Sequence, residues 1–511
     1  SRRSSFNLNE RRQSIASAIN VPGGFRREFI IKKVINNSNH NNPKSSKLTS
    51  NTNNSNDDIT LPPFLTRNFM EFLSIYGHFA GENLEDYDFK TCAIKLPSKS
   101  IDEETPLLSE SSSTNISSSA FNKQKGTATP LKAFFLLFKA FIGTGILFLP
   151  KAFLNGGLLF SSIVLFFFGL YSYWCYYLLV QTKSATNVSS FGDIGLILFG
   201  YKMKLLILFS IVLSQIGFVA TYLVFTSNNL IAFIKNIFNF DVSFIFMLSI
   251  LCLIFMPLSL IRNITKLSLA ALFANVFIFF GLIVIVYYTS FHLILNGPAN
   301  DIIFFNSNDW PLFIGVAIFS FEGIGLIIPI QESMAQPEKF PKVMFLVIVS
   351  ISILMISIAS LCYMTYGSKT LTVIILNLPQ DSIFVNLIQL FYSLAILLSS
   401  PLQLFPVIKI LENNIFGPNL HGKFDWKIKW LKNFFRFSIV ILCTLIAIYG
   451  ADNLDRFVSL VGCLACIPLV YMYPPMLHYK SCAKDKLARL SDICLVIFGG
   501  IALIYTTSHL L

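Results

Sequence analysis

Two short runs hold the residue types that could do chemistry. The first is Gly143-Thr144-Gly145, with Pro150 shortly after; the second is Gly323 and Gly325, with Pro329 after them. Each sits in an apolar stretch, LKAFFLLFKAFIGTGILFLPKAFLNGG from Leu131 and PLFIGVAIFSFEGIGLIIPIQ from Pro311. Both stretches can cross a bilayer, for which ~20 residues suffice. Glycine is a poor helix former and proline offers no N–H to the helix ladder. GTGILFLP and GIGLIIP therefore predict helices that break inside the membrane. A break frees main-chain N–H and C=O groups, which are tolerated at that depth only when buried in protein or lining a cavity. Freed N–H groups at the start of a half-helix suit an anion; here they belong to Gly143, Thr144, Gly145 and Ile146, with the Thr144 hydroxyl as a further donor. Freed carbonyls around Phe319, Ser320 and Phe321 suit a cation. Glu322 puts a carboxyl beside the second break. An acidic residue at mid-membrane costs at least ~2.5 kcal/mol, so Glu322 is expected to hold a proton for part of a working cycle and to carry or gate it. The competing readings are close helix packing for the glycines, and for Glu322 a structural hydrogen bond or a pairing with Lys139. Lys139 itself either snorkels to the surface or closes an inner gate.

The elements that position these residues follow from apolar runs. Eleven spans are expected, at about 131–153, 158–182, 204–229, 243–261, 267–291, 311–331, 343–364, 383–408, 433–450, 456–478 and 490–510. Lysine and arginine crowd the alternate loops at 183–204, 262–266, 339–342, 409–432 and 480–489, while the opposite loops hold Lys235, Lys369 and Arg456. The positive-inside rule then puts the N-terminus in the cytosol and the C-terminus on the lumenal side. The N-x-[ST] sequons at Asn36, Asn53, Asn115, Asn187 and Asn263 all fall on the cytosolic side of that topology. The breaks lie in spans one and six, which divides ten spans into five plus five of opposite orientation. This predicts an all-α polytopic membrane protein with the inverted repeat of LeuT-like transporters, plus an eleventh helix outside the repeat.

Composition agrees. The 511 residues are 54% hydrophobic and 13% charged, too apolar for an ordinary soluble domain. The net charge of +12 resides mostly between spans, where it sets topology and gives no reason to expect nucleic acid. Most of the nine cysteines lie within spans, and Cys463 and Cys466, although spaced CxxC, lack a second pair, so packing is their expected role. There is no GxxxxGK[ST], HExxH or triad spacing; no catalytic residue, metal, cofactor or enzyme activity is expected.

Two domains are expected: a mostly disordered cytosolic tail, 1–130, and a transmembrane domain, 131–511. The Asn/Ser-rich tract Asn36–Asp58 and the Ser-rich Ser109–Ser119 are too polar to fold alone. Between them, at about 62–90, TRNFMEFLSIYGHFAGENLED has Asn68 and Glu71 in capping-box spacing and aromatics at helical spacing. It predicts a short amphipathic helix docked on the cytosolic face. DEETPLL places Glu103 before Leu107 and Leu108, an acidic dileucine address read by sorting adaptor proteins.

The motifs also carry a resemblance. KAFIGTGILFLPKAFLNGG, SQIGFVATYLVFTSNNL, PLSLIRNITKLS and FSFEGIGLIIPIQESM resemble the amino acid/auxin permease family, and TRNFMEFLSIYGHFAGE with the long polar tail is similar to its fungal vacuolar exporter branch. The resemblance implies a LeuT-like fold and proton-coupled export of amino acids from vacuole lumen to cytosol, with amino acid, protons and membrane lipid as partners. The anion and cation subsites then become seats for a carboxylate and an ammonium. In such folds span three lines the pocket, so Tyr222 covers the substrate or packs as an ordinary aromatic. Ser399 and Ser400, in span eight, are a sodium site, its remnant, or packing. His292 and His478 lie near span ends and receive no role. Neutral amino acids are the expected substrates, basic ones being left open. A sodium-coupled transporter and an amino-acid sensor signalling through the tail stand as alternatives.

Overall fold

The computed structural model describes residues 128–142, 145–188, 190–260, 264–416 and 426–510. The docking segment at 62–90, the dileucine residues Glu103, Leu107 and Leu108, and Gly143 and Thr144 of the first break lie outside the described residues.

The first span is two helices. Thr129 starts α1 (Pro130–Phe141) by accepting from Lys132 N at 3.4 Å, and Pro130 occupies the first turn, where its missing N–H costs nothing. α2 (Gly145–Gly156) follows at an angle of 55°. α3 (Leu158–Thr186) crosses next, and the short α4 (Phe191–Phe199) lies between it and α5 (Tyr201–Phe238). The 38 residues of α5 measure about 57 Å at 1.5 Å per residue, well beyond a ~30 Å hydrocarbon core. α6 (Phe244–Ser259) and α7 (Ile264–Asn296) close the first half.

The second half opens with α8 (Trp310–Ser320) and α9 (Ile324–Ser333), separated by three residues. α10 (Phe340–Tyr366), α11 (Ile383–Phe416) and α12 (Trp426–Gly450) follow. The tenth span runs through α13 (Leu454–Val461), a π-helical segment (Gly462–Met472) and α14 (Tyr473–Ser481); α15 (Lys486–Leu510) is the eleventh. Among the described residues nine helical stretches are long and apolar enough to cross a membrane, and the bent α1–α2 pair makes a tenth. α6, at 16 residues, holds the place of the expected fourth span.

The halves interlock where side chains are small. A Cβ at Gly462 would land on the Gly315 carbonyl oxygen, and one at Gly315 on Ser459, so α8 and the tenth span touch backbone to backbone. Elsewhere α11 and α12 are tied by a buried bidentate pair, Arg436 Nε to Glu412 Oε1 at 2.8 Å and Nη2 to Oε2 at 3.2 Å. At the lysine-rich end Ala128 N donates to Ser333 O at 2.8 Å and Ala335 N to Ala128 O at 2.9 Å, which joins the entry of the first span to the exit of the sixth. At the opposite end the Ser368 N–H donates to Asp301 Oδ2 at 2.8 Å. The hydroxyl and N–H of Ser368 hold this carboxyl below the usual carboxylate range. A depressed value means the clasp is complete above the unfolded value of about 3.9 and is lost only as pH falls below it. Asp301→Asn, which mimics the protonated carboxyl, is expected to lower thermal stability slightly at mildly acidic pH and to match the wild type in stronger acid, read by melting curves of the purified protein against pH.

Candidate functional site

The two breaks meet. An added Cβ on Gly145, the first residue of α2, would sit 3.1 Å from Ser320 Cα and 3.2 Å from Ser320 Oγ, the last residue of α8. One on Gly323 would sit 2.7 Å from the Phe141 ring, at the end of α1. Glycine at both positions is what lets the two interrupted spans come together. Gly145, Ile146 and Leu147 are buried, and the first N–H groups of a helix have no partner within it. The first turn of α2, which carries them, lies against Ser320.

The second break has been tightened and pinned. Phe321 N donates to Ile318 O at 3.2 Å and Glu322 N to Phe319 O at 3.3 Å, so the last turn of α8 contracts. The Tyr176 hydroxyl, from α3, donates to Phe321 O at 2.5 Å and accepts from Gly323 N at 3.2 Å. One phenol thus bridges both sides of the gap. The Phe321 carbonyl, expected as a cation acceptor, already has one partner, while Ser320 Oγ donates to its own helix at Val316 O, 2.9 Å. Tyr176→Phe strands two buried main-chain groups, a loss of about 1–3 kcal/mol each if no partner replaces it. Roughly tenfold lower transport per folded molecule is expected, measured by uptake normalised to protein in the membrane.

Aromatic rings wall the junction. Phe319 lies 4.3 Å from Phe218 and 6.5 Å from Phe148, and Phe218 lies 6.3 Å from Tyr222. Tyr222 therefore belongs to the wall that α5 presents to α8. Glu322 sits in the break itself, half-buried, within electrostatic reach of Tyr176 and Cys466. Ser399 and Ser400 both donate to Ile396 O, at 3.0 and 2.7 Å, the way serines pack inside an apolar helix.

Three features escaped the sequence reading. Tyr176 is one of four tyrosines in YSYWCYY, and nothing in that run says which faces the break. Glu412 lies beyond the expected span end at 408, where α11 continues, and Arg436 lies just inside the span expected at 433–450; the sequence does not show that each neutralises the other. Asp492 lies inside the span expected at 490–510 and was legible there as a second intramembrane acid.

Interrupted helices joined at their breaks inside a bundle of this topology define a secondary transporter with a LeuT-like fold. The solved structure entitled "Inward facing conformation of Mhp1" is similar in fold, with a TM-score of 0.54, 13% identity and coverage of 76% of this chain and 91% of that one. Residues 126–511 match the family model described as transmembrane amino acid transporter protein, and the chain belongs to that family, whose members are transporters rather than enzymes. Its relatives include "Vacuolar amino acid transporter 4" of Saccharomyces cerevisiae, 51% identical over 97% of this chain and 74% of that protein. "Vacuolar amino acid transporter 3" of the same yeast is 46% identical over 96% and 68%. Its namesake in Schizosaccharomyces pombe is 48% identical over 87% and 68%.

Proposed function

We propose that this chain resides in the vacuolar membrane and exports neutral amino acids from lumen to cytosol, each driven by a proton, through alternating access around the joined breaks. The observation that carries the reading is the contact of Gly145 with Ser320. It brings the start of α2 against the end of α8, so that opening this contact would leave helix-start donors and helix-end acceptors facing one zwitterion. In this reading Gly143, Thr144, Gly145 and Ile146 hold the carboxylate. The Phe319, Ser320 and Phe321 carbonyls take the ammonium, the last sharing its oxygen with Tyr176. Phe218 and Tyr222 shape the side-chain pocket, and Glu322 carries the proton. The aromatic wall of Phe218, Phe319 and Tyr222 favours neutral side chains over basic ones. The names of the relatives support the vacuolar location, and the lysine-rich loops support a cytosolic N-terminus, the side on which adaptors would read Glu103, Leu107 and Leu108.

The test is efflux from acidified vesicles loaded with a panel of labelled amino acids, with sodium present or replaced by choline. Efflux of neutral amino acids that rises with internal acidity and ignores sodium is the expected result. Efflux that needs sodium and ignores acidity would point to the sodium-coupled alternative.

A further inference from the structure

At the lysine-rich end a second buried polar cluster joins three helices and takes no part in the junction. His478, near the end of α14, is 6% exposed, and Asp492, on α15, is 2% exposed. His478 Nδ1 lies 2.8 Å from Asp492 Oδ2, and its Nε2 lies 2.9 Å from Gln181 Oε1 on α3. The Gln181 side-chain N–H donates to the Tyr177 hydroxyl at 2.8 Å. In this orientation of the amide, Gln181 turns its oxygen, an acceptor, toward the ring. Both imidazole nitrogens face acceptors, one of them a carboxylate. A neutral imidazole has one N–H and satisfies one of these; the imidazolium satisfies both. A buried carboxylate stripped of its cation is strongly unfavourable, so the arrangement is matched to the charged ring.

We propose that His478, Asp492 and Gln181 form a second proton-binding site, distinct from Glu322, whose occupancy clamps α3 against α14 and α15. α3 is also the helix whose Tyr176 pins the second break. Loss of the proton therefore loosens the rod that holds the junction closed. The sign follows: the clamp is complete at low pH on the lysine-rich face and is lost as that pH rises.

The surrounding charges have other engagements. Lys183 pairs with Glu332 of α9 at 3.1 Å, and Asp193 of α4 with Lys204 of α5 at 2.7 Å. Lys480 lies over the Phe199 ring, and Arg489 Nε donates to Ala483 O at 2.9 Å. From the interior, Cys175 of α3 lies within reach of Asp492, while the Tyr171 hydroxyl donates to Leu495 O and the Tyr471 hydroxyl pairs with Ser172. Once protonated, the imidazole is the cation within ion-pair distance of Asp492.

The inference does not require Glu322 to be the coupling group. Its test is exchange of labelled for unlabelled amino acid, which the proton gradient does not drive, in proteoliposomes with the pH of the opposite face fixed and the pH of the lysine-rich face varied across about 5 to 8, where histidine titrates. Exchange is expected to rise with pH in the wild type and to become flat in His478→Gln. The midpoint should move down by roughly 1–3 pH units in Asp492→Asn, which removes the counter-charge, and upward in Gln181→Glu, which adds one. A merely structural cluster would not shift the midpoint in opposite directions. Should His478→Gln fail to fold, the two other variants decide; a wild-type profile in either one overturns the proposal. The Glu322 reading is judged separately, from the pH dependence of the opposite face.

Discussion

Glu322→Gln is expected to abolish amino-acid movement driven by a pH gradient while leaving downhill exchange of labelled for unlabelled amino acid intact. The amide keeps the shape of the carboxyl and its place in the break between α8 and α9, but it cannot pick up and release a proton. One pH unit is worth about 1.4 kcal/mol per proton. A gradient of about 2 units acting on one proton therefore supplies ~2.7 kcal/mol, enough to sustain a roughly 100-fold amino-acid gradient. In the variant that gradient should collapse to equality. The break is held by Tyr176 through main-chain atoms of Phe321 and Gly323, not by the Glu322 side chain. The junction should therefore survive the substitution, and exchange with it. Full gradient-driven accumulation by Glu322→Gln would remove this residue from the coupling step.

Arg436→Met should be the most destabilising of the single changes considered. It leaves the Glu412 carboxylate, 7% exposed, without its bidentate partner between α11 and α12. Breaking one side of a buried pair costs about 3–5 kcal/mol, whereas replacing both partners by apolar residues is often neutral or better. Arg436→Met should therefore melt well below the wild type in a detergent thermal-shift measurement, and Arg436→Met with Glu412→Leu should recover most of that loss. A double variant as unstable as the single one would mean that the pair itself is not what holds these helices together.

The pattern of apolar runs and glycine–proline breaks made the spans and their interruptions legible, because a bilayer dictates both length and polarity. Helix ends were less so. α5 extends at both ends beyond its expected 204–229 segment, and α11 past 408, since apolarity marks the hydrocarbon core and not where hydrogen bonding stops. Tertiary facing was not legible at all. Tyr176 reads like its neighbours until α3 packs against the break, and His478 at a span end reads as interfacial until α15 brings Asp492 to it. The π-helical stretch around Pro468 carries no period that sequence inspection separates from an α-helix.

The central claim is that the meeting of the two breaks is where an amino acid sits. The most direct measurement is a cryo-electron-microscopy map of the purified protein saturated with a neutral amino acid that it transports. The account predicts density between the start of α2 at Gly145–Ile146 and the end of α8 at Phe319–Phe321, its carboxylate toward the α2 N–H groups and its side chain against Phe218 and Tyr222. Density for the amino acid at another place in the bundle, with the Gly145–Ser320 contact unopened and unoccupied, would contradict it.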